Sequence, residues 1–446
     1  PATPVQQGMA FHTWSDDTSP IYHEQIVFSL TQPVEMDQVR RIWADIVARY
    51  PMLRARILNG YGASILLTVH RQSSADCRFF PANSMSVEAL LEHDRRTLFD
   101  LSSAPLIRIS LITEGCTVQK LLLTHHHAIL DGWSVALLVN ELNAELTQLA
   151  TPTKVSTNLA NLDVLRAFNH SAIDNAAPDH TFWKDICATS VNNESMVFIR
   201  PQRGIQAFDE STDCVAQLNG ESWSKCRDTA VALGVSTSTL VNAAWALVLN
   251  RFRATQEGTR VQWGITLSGR TVNVSDIATL VGLCINTLPL SVEIDRHASC
   301  VEWLRSLQNS IYALQKHCQT SLVELQRVYS ENQSMFDSIV VVTNYENQYE
   351  GQTPSLLQYS TSKEATNYPL TLVVTESPET LQCRLSGHNH IVDPVWLTPL
   401  LTQLMSFIQS LCALNTTSLG NVIDNTQDTL DSRTLSGTMT QDNRPE

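Results

Sequence analysis

The sequence has no Cys-x-x-Cys pair and no Cys/His spacing of the zinc-finger kind, so its ten cysteines frame neither a metal knot nor a dithiol redox motif. They are expected to be reduced thiols, mostly buried. The chain opens without a basic stretch leading into an apolar run, and no apolar run is expected to reach membrane-spanning length. Those absences argue against a secretory leader and a membrane partner, and for a cytoplasmic location. The Asn-x-Ser/Thr triplets at Asn193 and Asn415 carry no weight without a secretory route. Positive charge is scarce: 30 Lys+Arg against 44 Asp+Glu leave -14 at pH 7. No broad basic field is available to neutralise a phosphate backbone, and nucleic acid is excluded as a partner. Repeats of solenoid period and a Gly-x-Ser-x-Gly nucleophile are also missing.

What is present is apolar mass. The 446 residues are 43% hydrophobic and 17% charged, enough for a sizeable core and for two or three compact units at roughly 150 residues each. A start at Pro1 in place of Met points to a segment of a longer polypeptide. Val34, Val39, Ile42, Trp43, Ile46 and Val47 recur at helical spacing and Pro51 ends the run, which predicts an amphipathic helix over 34–49. Strands are predicted over Ser64–His70, Ile107–Thr113 and Val118–Thr124, and a helix follows Asp131-Gly132 with Val135, Leu138, Val139, Leu142 and Leu146 on one face. Asp131 or Ser134 is its available cap. Residues 151–179, rich in Thr, Asn, Ala, Ser and Asp, read as the break between a first α/β lobe, 1–165, and a second, 166–414. In the second, 217–233 and 237–252 read as helices, and 262–267, 337–343, 370–375 and 381–385 as strands. Residues 415–446 lose apolar period and read as a polar linker or tail.

The segment with the most chemistry is His125-His126-His127-Ala128-Ile129-Leu130-Asp131-Gly132-Trp133-Ser134. If the strand runs on through the histidines, period-two alternation sends His125 and His127 to one face and His126 to the other. A turn at Gly132 lets Asp131 come back toward His127 or pair with an arginine, while the next helix presents its positive end. Zinc is disfavoured, because adjacent strand positions diverge and no His-x-x-x-His spacing supplies further ligands. Structural hydrogen bonding is the bland alternative for the same histidines.

His126-His127-x-x-x-Asp131-Gly132-Trp133-Ser134 resembles the signature of condensation domains of nonribosomal peptide synthetases. Six further strings resemble that family in its order: Thr3-Pro4-Val5-Gln6-Gln7-Gly8-Met9, Arg49 to Arg56, Leu98-Phe99-Asp100-Leu101 with Pro105 to Arg108, Trp263 to Arg270, Val281 to Leu290, and Thr366 to Leu372. The resemblance spans about residues 3–412. It implies a fold similar to chloramphenicol acetyltransferase: two α/β lobes in a V with a tunnel between them. It also implies that donor and acceptor carrier domains bring thioesters on phosphopantetheine arms, the domain itself binding no cofactor and no metal, and that the acceptor's α-amine attacks the donor thioester. By the same resemblance His127 acts on the amine, His126 is structural, and Asp131 forms a salt bridge with Arg54, or less readily Arg56. Gly132 makes the turn and brings its N–H near the reacting carbonyl. Trp133, Ser268, Arg270 and Asn367 are candidates for tunnel or lobe contacts.

The opening string and Ile129 to Ser134 look most like domains whose donor ends in a D-residue. Epimerisation domains share the histidine motif, but Asn286-Thr287-Leu288-Pro289-Leu290 and Gly132-Trp133-Ser134 favour condensation. A non-catalytic domain of the same fold that recruits a partner is the rival of another class, and the intact His126, His127, Asp131 and Gly132 argue against it. No carrier serine motif or adenylation signature is seen, so an adjacent adenylation domain is an expected partner.

Overall fold

A computed structural model describes residues 1–60, 65–147, 159–187, 196–199, 211–253, 260–331, 333–343, 355–413 and 418–426. The first part of the chain forms α1 (Pro4–Ser15), β1 (His23–Glu35), α2 (Met36–Arg49), β2 (Ala55–Asn59), β3 (Ile65–Val69), β4 (Asp76–Pro81) and α3 (Val87–Arg95). It continues with β5 (Ile107–Glu114), β6 (Thr117–His126), α4 (Gly132–Thr147), α5 (Leu159–Asp174) and α6 (His180–Cys187). Then follow β7 (Ser211–Asn219), α7 (Gly220–Leu233), α8 (Thr237–Arg251), β8 (Arg260–Leu267), β9 (Asn286–Glu293), α9 (Cys300–Gln315) and α10 (Leu322–Tyr329). Last come β10 (Ser338–Thr343), β11 (Leu357–Lys363), β12 (Leu370–Glu376), β13 (Thr380–His388) and two helices, Leu397–Cys412 and Leu419–Asn425.

The mixed α/β architecture expected from the sequence is what forms, as two sheets each backed by helices. One sheet has the order β11-β1-β6-β5-β4, the other β7-β13-β12-β10-β8-β9, and β2 and β3 pair apart. Under the first sheet α2 buries Val39, Ile42, Trp43, Ile46 and Val47, the stripe its period announced, against α4. Val34 lies instead at the end of β1. Seven of the ten cysteines are buried and all are free.

Several expectations are corrected. Residues 211–219, ahead of and overlapping the expected helix, alternate Thr212, Cys214, Ala216 and Leu218 toward the sheet's covered side, so they pair with β13 as a strand and the helix starts only at Gly220. The polar composition of 151–179 hides the spacing Leu165, Phe168, Ala172, which makes α5 a packed helix. The core does not divide at residue 165: these side chains join the core of α2 and α4, together with Ile277, Leu280, Val281, Cys284 and Leu357 from the later chain. Within the stretch read as a tail, Leu419–Asn425 is a helix whose Leu419 is fully buried, and Ser418 bridges to Ser299. The stretch Pro394–Cys412 is, against expectation, 19 residues long and apolar enough by composition to cross a membrane. Here it is a core helix, with Leu400, Leu404, Phe407 and Leu411 buried against α8 and β7. Ser64, Asn193, Asn415, residues 151–158 and the end of the chain from 427 lie outside the described residues.

The crossover strand β11 has the greatest consequence for the site. It comes from the second half of the chain yet pairs antiparallel with β1, Gln25 opposite Lys363 and Ile26 opposite Ser362. The chain therefore returns to the first sheet beside the strand that carries His23 to Ile26, next to the histidines.

Candidate active site

β6 runs through Leu121, Leu122 and Leu123 in the core and ends at His126, with His23 opposite His126 and Glu24 opposite His125 on β1. Alternation then does what the sequence implied. His125 and His127 line a cavity of about 1480 Å³, and His126 points to the other side. That cavity draws its walls from both halves of the chain, including Gly8, His12, Tyr22, Gly132, Ser268, Asn286, Asn367 and Arg384.

His126 has both ring nitrogens engaged. Its Nδ1 accepts the Ala128 N–H at 3.1 Å and its Nε2 meets the Thr13 hydroxyl of α1 at 3.0 Å. Burial, and then the proximity of His23 and His127, push its pKa down to about 3, so it stays neutral. The turn after it is pinned by Gln6, whose Nε2 donates to the Ala128 carbonyl at 3.1 Å. Gln6 also closes a capping box with Thr3 at the start of α1, so one residue of the opening string fixes both a helix end and the histidine turn.

His127 takes the remaining step out of the strand. Its N–H donates to the Tyr22 carbonyl, and its Nδ1 lies 2.6 Å from the Leu130 carbonyl oxygen. A carbonyl only accepts, so Nδ1 carries the proton and Nε2 is left with the lone pair. A basic nitrogen on a held ring beside a cavity is the arrangement that proton removal from a substrate amine requires. Gly132 begins α4 and lines the same cavity, and an N–H in the first turn of a helix has no partner within the helix.

Asp131 does not reach His127. It caps α4, Oδ1 accepting from Ser134 N–H at 2.8 Å and Ser134 Oγ at 2.7 Å. Its arginine is Arg270, whose Nη2 lies 2.9 Å from Oδ1 and 3.1 Å from Oδ2, with the pair almost wholly buried. The expected partner, Arg54, ends a short turn after α2. Its guanidinium donates to the backbone carbonyls of Val47, His70 and Arg71. Arg56 is engaged with Thr68 and the Ser102 carbonyl. Neither is placed to pair with Asp131. Arg270 also donates to the carbonyls of Ile277 and Leu280, and Asp131 Oδ2 accepts the Cys284 N–H at 2.9 Å. The histidine loop is thus buttoned to the segment 270–284. Gly269 N–H donates to the Cys284 carbonyl, and a Cβ at 269 would sit 2.1 Å from that oxygen, so only glycine lets the two stretches close.

The other expected site residues divide. Ser268 and Asn367 line the cavity, Asn367 Oδ1 accepting from Tyr22 OH at 2.9 Å. Trp133 and Arg270 do not line it. Trp133 Nε1 donates to the Ala278 carbonyl at 2.9 Å and its ring faces the Arg270 guanidinium, so both clasp the loop to 270–284. Ser134, whose Oγ accepts the Gly282 N–H at 2.9 Å and lies 2.7 Å from the Gly282 carbonyl oxygen, was not singled out as a site residue in the sequence although it belongs to the motif. A buried network behind the sheet was missed as well. Arg108, Gln25, Thr124 and His23 all converge on Asp94, and despite burial their hydrogen bonds and the Arg108 charge hold its carboxyl well below the usual range. Its members come from three strands and a helix, and only the fold unites them.

Comparison with known proteins places this geometry. The family model described as "Condensation domain" matches residues 1–421. Bacitracin synthase 1 of Bacillus licheniformis is 25% identical over 449 residues, 95% of this chain and 8% of that protein. Chondramide synthase cmdD of Chondromyces crocatus is 29% identical over 392 residues, 83% of this chain and 10% of that protein. The chain thus spans a small fraction of the relatives it matches. Among solved structures, a four-domain nonribosomal peptide synthetase bound to AMP and glycine aligns with TM-score 0.78 at 16% identity, covering 94% of this chain and 33% of that one. The first condensation domain of the calcium-dependent antibiotic synthetase, in complex with a substrate analogue, aligns at 0.70 and 18%, covering 94% and 98%. The X-domain from teicoplanin biosynthesis aligns at 0.74 and 17%, covering 94% and 96%. With the family model matched along nearly its whole length and the histidine loop intact at the cavity wall, this chain belongs to the condensation-domain family of nonribosomal peptide synthetases.

Proposed function

We propose that the domain forms an amide bond between a donor aminoacyl or peptidyl thioester and the α-amine of an acceptor aminoacyl thioester, both carried on phosphopantetheine arms. The single observation that carries this reading is His127, with Nδ1 committed to the Leu130 carbonyl and the ring at the wall of the cavity. The acceptor amine attacks the donor carbonyl, Nε2 takes the proton the amine sheds, and the Gly132 N–H faces the oxygen that gains charge. Collapse breaks the C–S bond, and the donor's thiol leaves with the proton. Asp131 and Arg270 hold the loop without touching substrate. The arms belong to donor and acceptor carrier domains, so the domain needs no cofactor or metal of its own. An adjacent adenylation domain and a cytoplasmic setting complete the reading.

Positioning is the larger part of the rate. General base help contributes about 10²- to 10⁴-fold, whereas two tethered reactants held together reach effective molarities on the order of 10⁵ M or more. The decisive experiment mixes the isolated domain with donor and acceptor carriers loaded chemically with aminoacyl groups. Amide-linked product on the acceptor carrier is expected, and its absence with competent carriers would favour a partner-recruiting role for the same fold. The opening string and the Ile129 to Ser134 continuation further support a D-configured donor. Donor peptides ending in D- and L-forms of one residue should differ by about tenfold to a few hundredfold. Equal rates would remove the D-donor subtype and leave condensation standing.

A further inference from the structure

Beyond His127 the cavity runs over a stretch of wall that amide formation does not use. On β1 and β6 Glu24 stands opposite His125, and both line the cavity. The His125 ring centre is 6.5 Å from that of His127. His125 is 3% exposed, and its buried Nδ1 has no hydrogen-bond partner. Glu24 is 8% exposed. Glu364, just beyond β11, reaches the same wall and is ion-paired at 3.0 Å with Arg384 of β13, while Asp213 of β7 lies at the rim. Arg95, at the end of α3, also acts on Glu24 and Asp213 through its charge.

The charges do not balance. Three carboxyl groups, Glu24, Glu364 and Asp213, face two guanidinium groups, and burial keeps the imidazole of His125 neutral. Burial, and then the nearby Glu364, raise the pKa of Glu24 well above the usual carboxylate range despite Arg384, Arg95 and a hydrogen bond from the Ala365 backbone. Burial and the neighbouring carboxylate thus both favour the protonated form of Glu24. An aliphatic side chain laid here would leave the imidazole nitrogen and the carboxyl group without a polar partner. An anionic one would meet the carboxylates. Among the described residues no group of three His, Cys, Asp or Glu side chains is disposed to hold a metal ion. A cation with N–H donors suits the carboxyl and the imidazole: it takes the place of the proton on Glu24 and donates to Nδ1 of His125, while the Arg384 guanidinium stays ion-paired with Glu364.

We propose that Glu24 and His125, backed by the Glu364–Arg384 pair and Asp213, form a subsite for the basic side chain of an aminoacyl substrate, an ammonium at the end of a lysine-length chain. This rests on the reading that the domain joins carrier-bound aminoacyl thioesters. The ammonium can arrive on either substrate, and the experiment separates the two. In one arm the donor carries lysine or norleucine against a fixed alanine acceptor; in the other the acceptor is varied against a fixed alanine donor. Lysine is expected to exceed norleucine by about tenfold or more in kcat/KM in one arm, which names the source. In Glu24→Gln that ratio should fall to within about threefold. Being internal to each variant, the ratio is immune to loss of folded protein. Amide formation with norleucine equal to or above lysine in both arms overturns the subsite and leaves condensation intact. Calorimetry with unreactive lysyl- and norleucyl-pantetheine amides reads the subsite even where no amide forms: tighter lysyl binding supports it, and equal affinity overturns it.

Discussion

At the scale of single residues, three consecutive histidines have three different fates, set by alternation and by what each ring nitrogen meets. His127 keeps a free Nε2 beside the cavity, and His127→Ala is expected to cut amide formation by about 10²-fold or more while leaving the fold intact. Turnover near the parent level with well-loaded carriers would remove it from the chemistry. His126 is buried and neutral, and it is expected to contribute to stability. An unfolded histidine binds its proton near 6.5, whereas His126 does so only at about 3. Between those values the unfolded chain holds the extra proton, so stability present in full above about pH 6.5 is lost as pH falls, by about 1.4 kcal/mol per pH unit for each such group. His125, held low by burial and then by His127 and His126, adds to the same slope. Urea midpoints followed from pH 7 to about 5.5, above the range where free carboxylates titrate, should fall with acid. His126→Gln should make that decline shallower by about one proton's worth; an identical slope would show that His126 is not the group responsible.

At the scale of elements, the motif's aspartate is a fastener between the start of α4 and the segment 270–284. Removing one side of a buried ion pair costs about 3 to 5 kcal/mol, because the other charge is left without compensation. Asp131→Asn and Arg270→Ala should each lower stability by that order, and the double variant should lose less than the sum. Arg54→Ala, which releases only backbone carbonyls, should add independently to Asp131→Asn. Equal coupling of Asp131 to both arginines in denaturant titrations would contradict the observed pairing. This is also where the sequence was legible only in part. The run from Val118 into three histidines, the Asp-Gly turn and the helix after it are local, and period and capping chemistry announce them. That Asp131 meets an arginine was implied by the family resemblance, the residues alone leaving His127 open as its partner. Which arginine was not legible, because Arg54 and Arg270 are both far from it in sequence and only the packing of 270–284 against α4 decides. Likewise period two gave the faces of His125 and His127, but the pairing of Glu24 with His125 depends on a strand register about 100 residues away.

For the whole molecule, composition suggested two lobes cut cleanly near residue 165, and the chain does something else. β11 leaves the second half to pair with β1, and Ile277, Leu280, Val281 and Leu357 complete the core beneath the first sheet. No local signal marks a strand as belonging to a distant sheet, so the division by composition had to fail there. The consequence is mechanical as well as topological: β1 forms cavity wall through Glu24 and Ile26, with Tyr22 just ahead of it, and β11 is its outer neighbour. A fragment of residues 1–187 lacks that neighbour. It would expose the edge of β1 with Val27 and Phe28 beside it, and it would leave Asp131 buried without Arg270. We expect such a fragment to aggregate or remain unfolded when produced alone, and to become soluble when the remainder, 188–446, is produced with it. A monomeric 1–187 with a cooperative thermal transition would show that the first sheet does not need its borrowed strand. In the reunited halves the cavity should be restored along with the fold, so amide formation and solubility should return together.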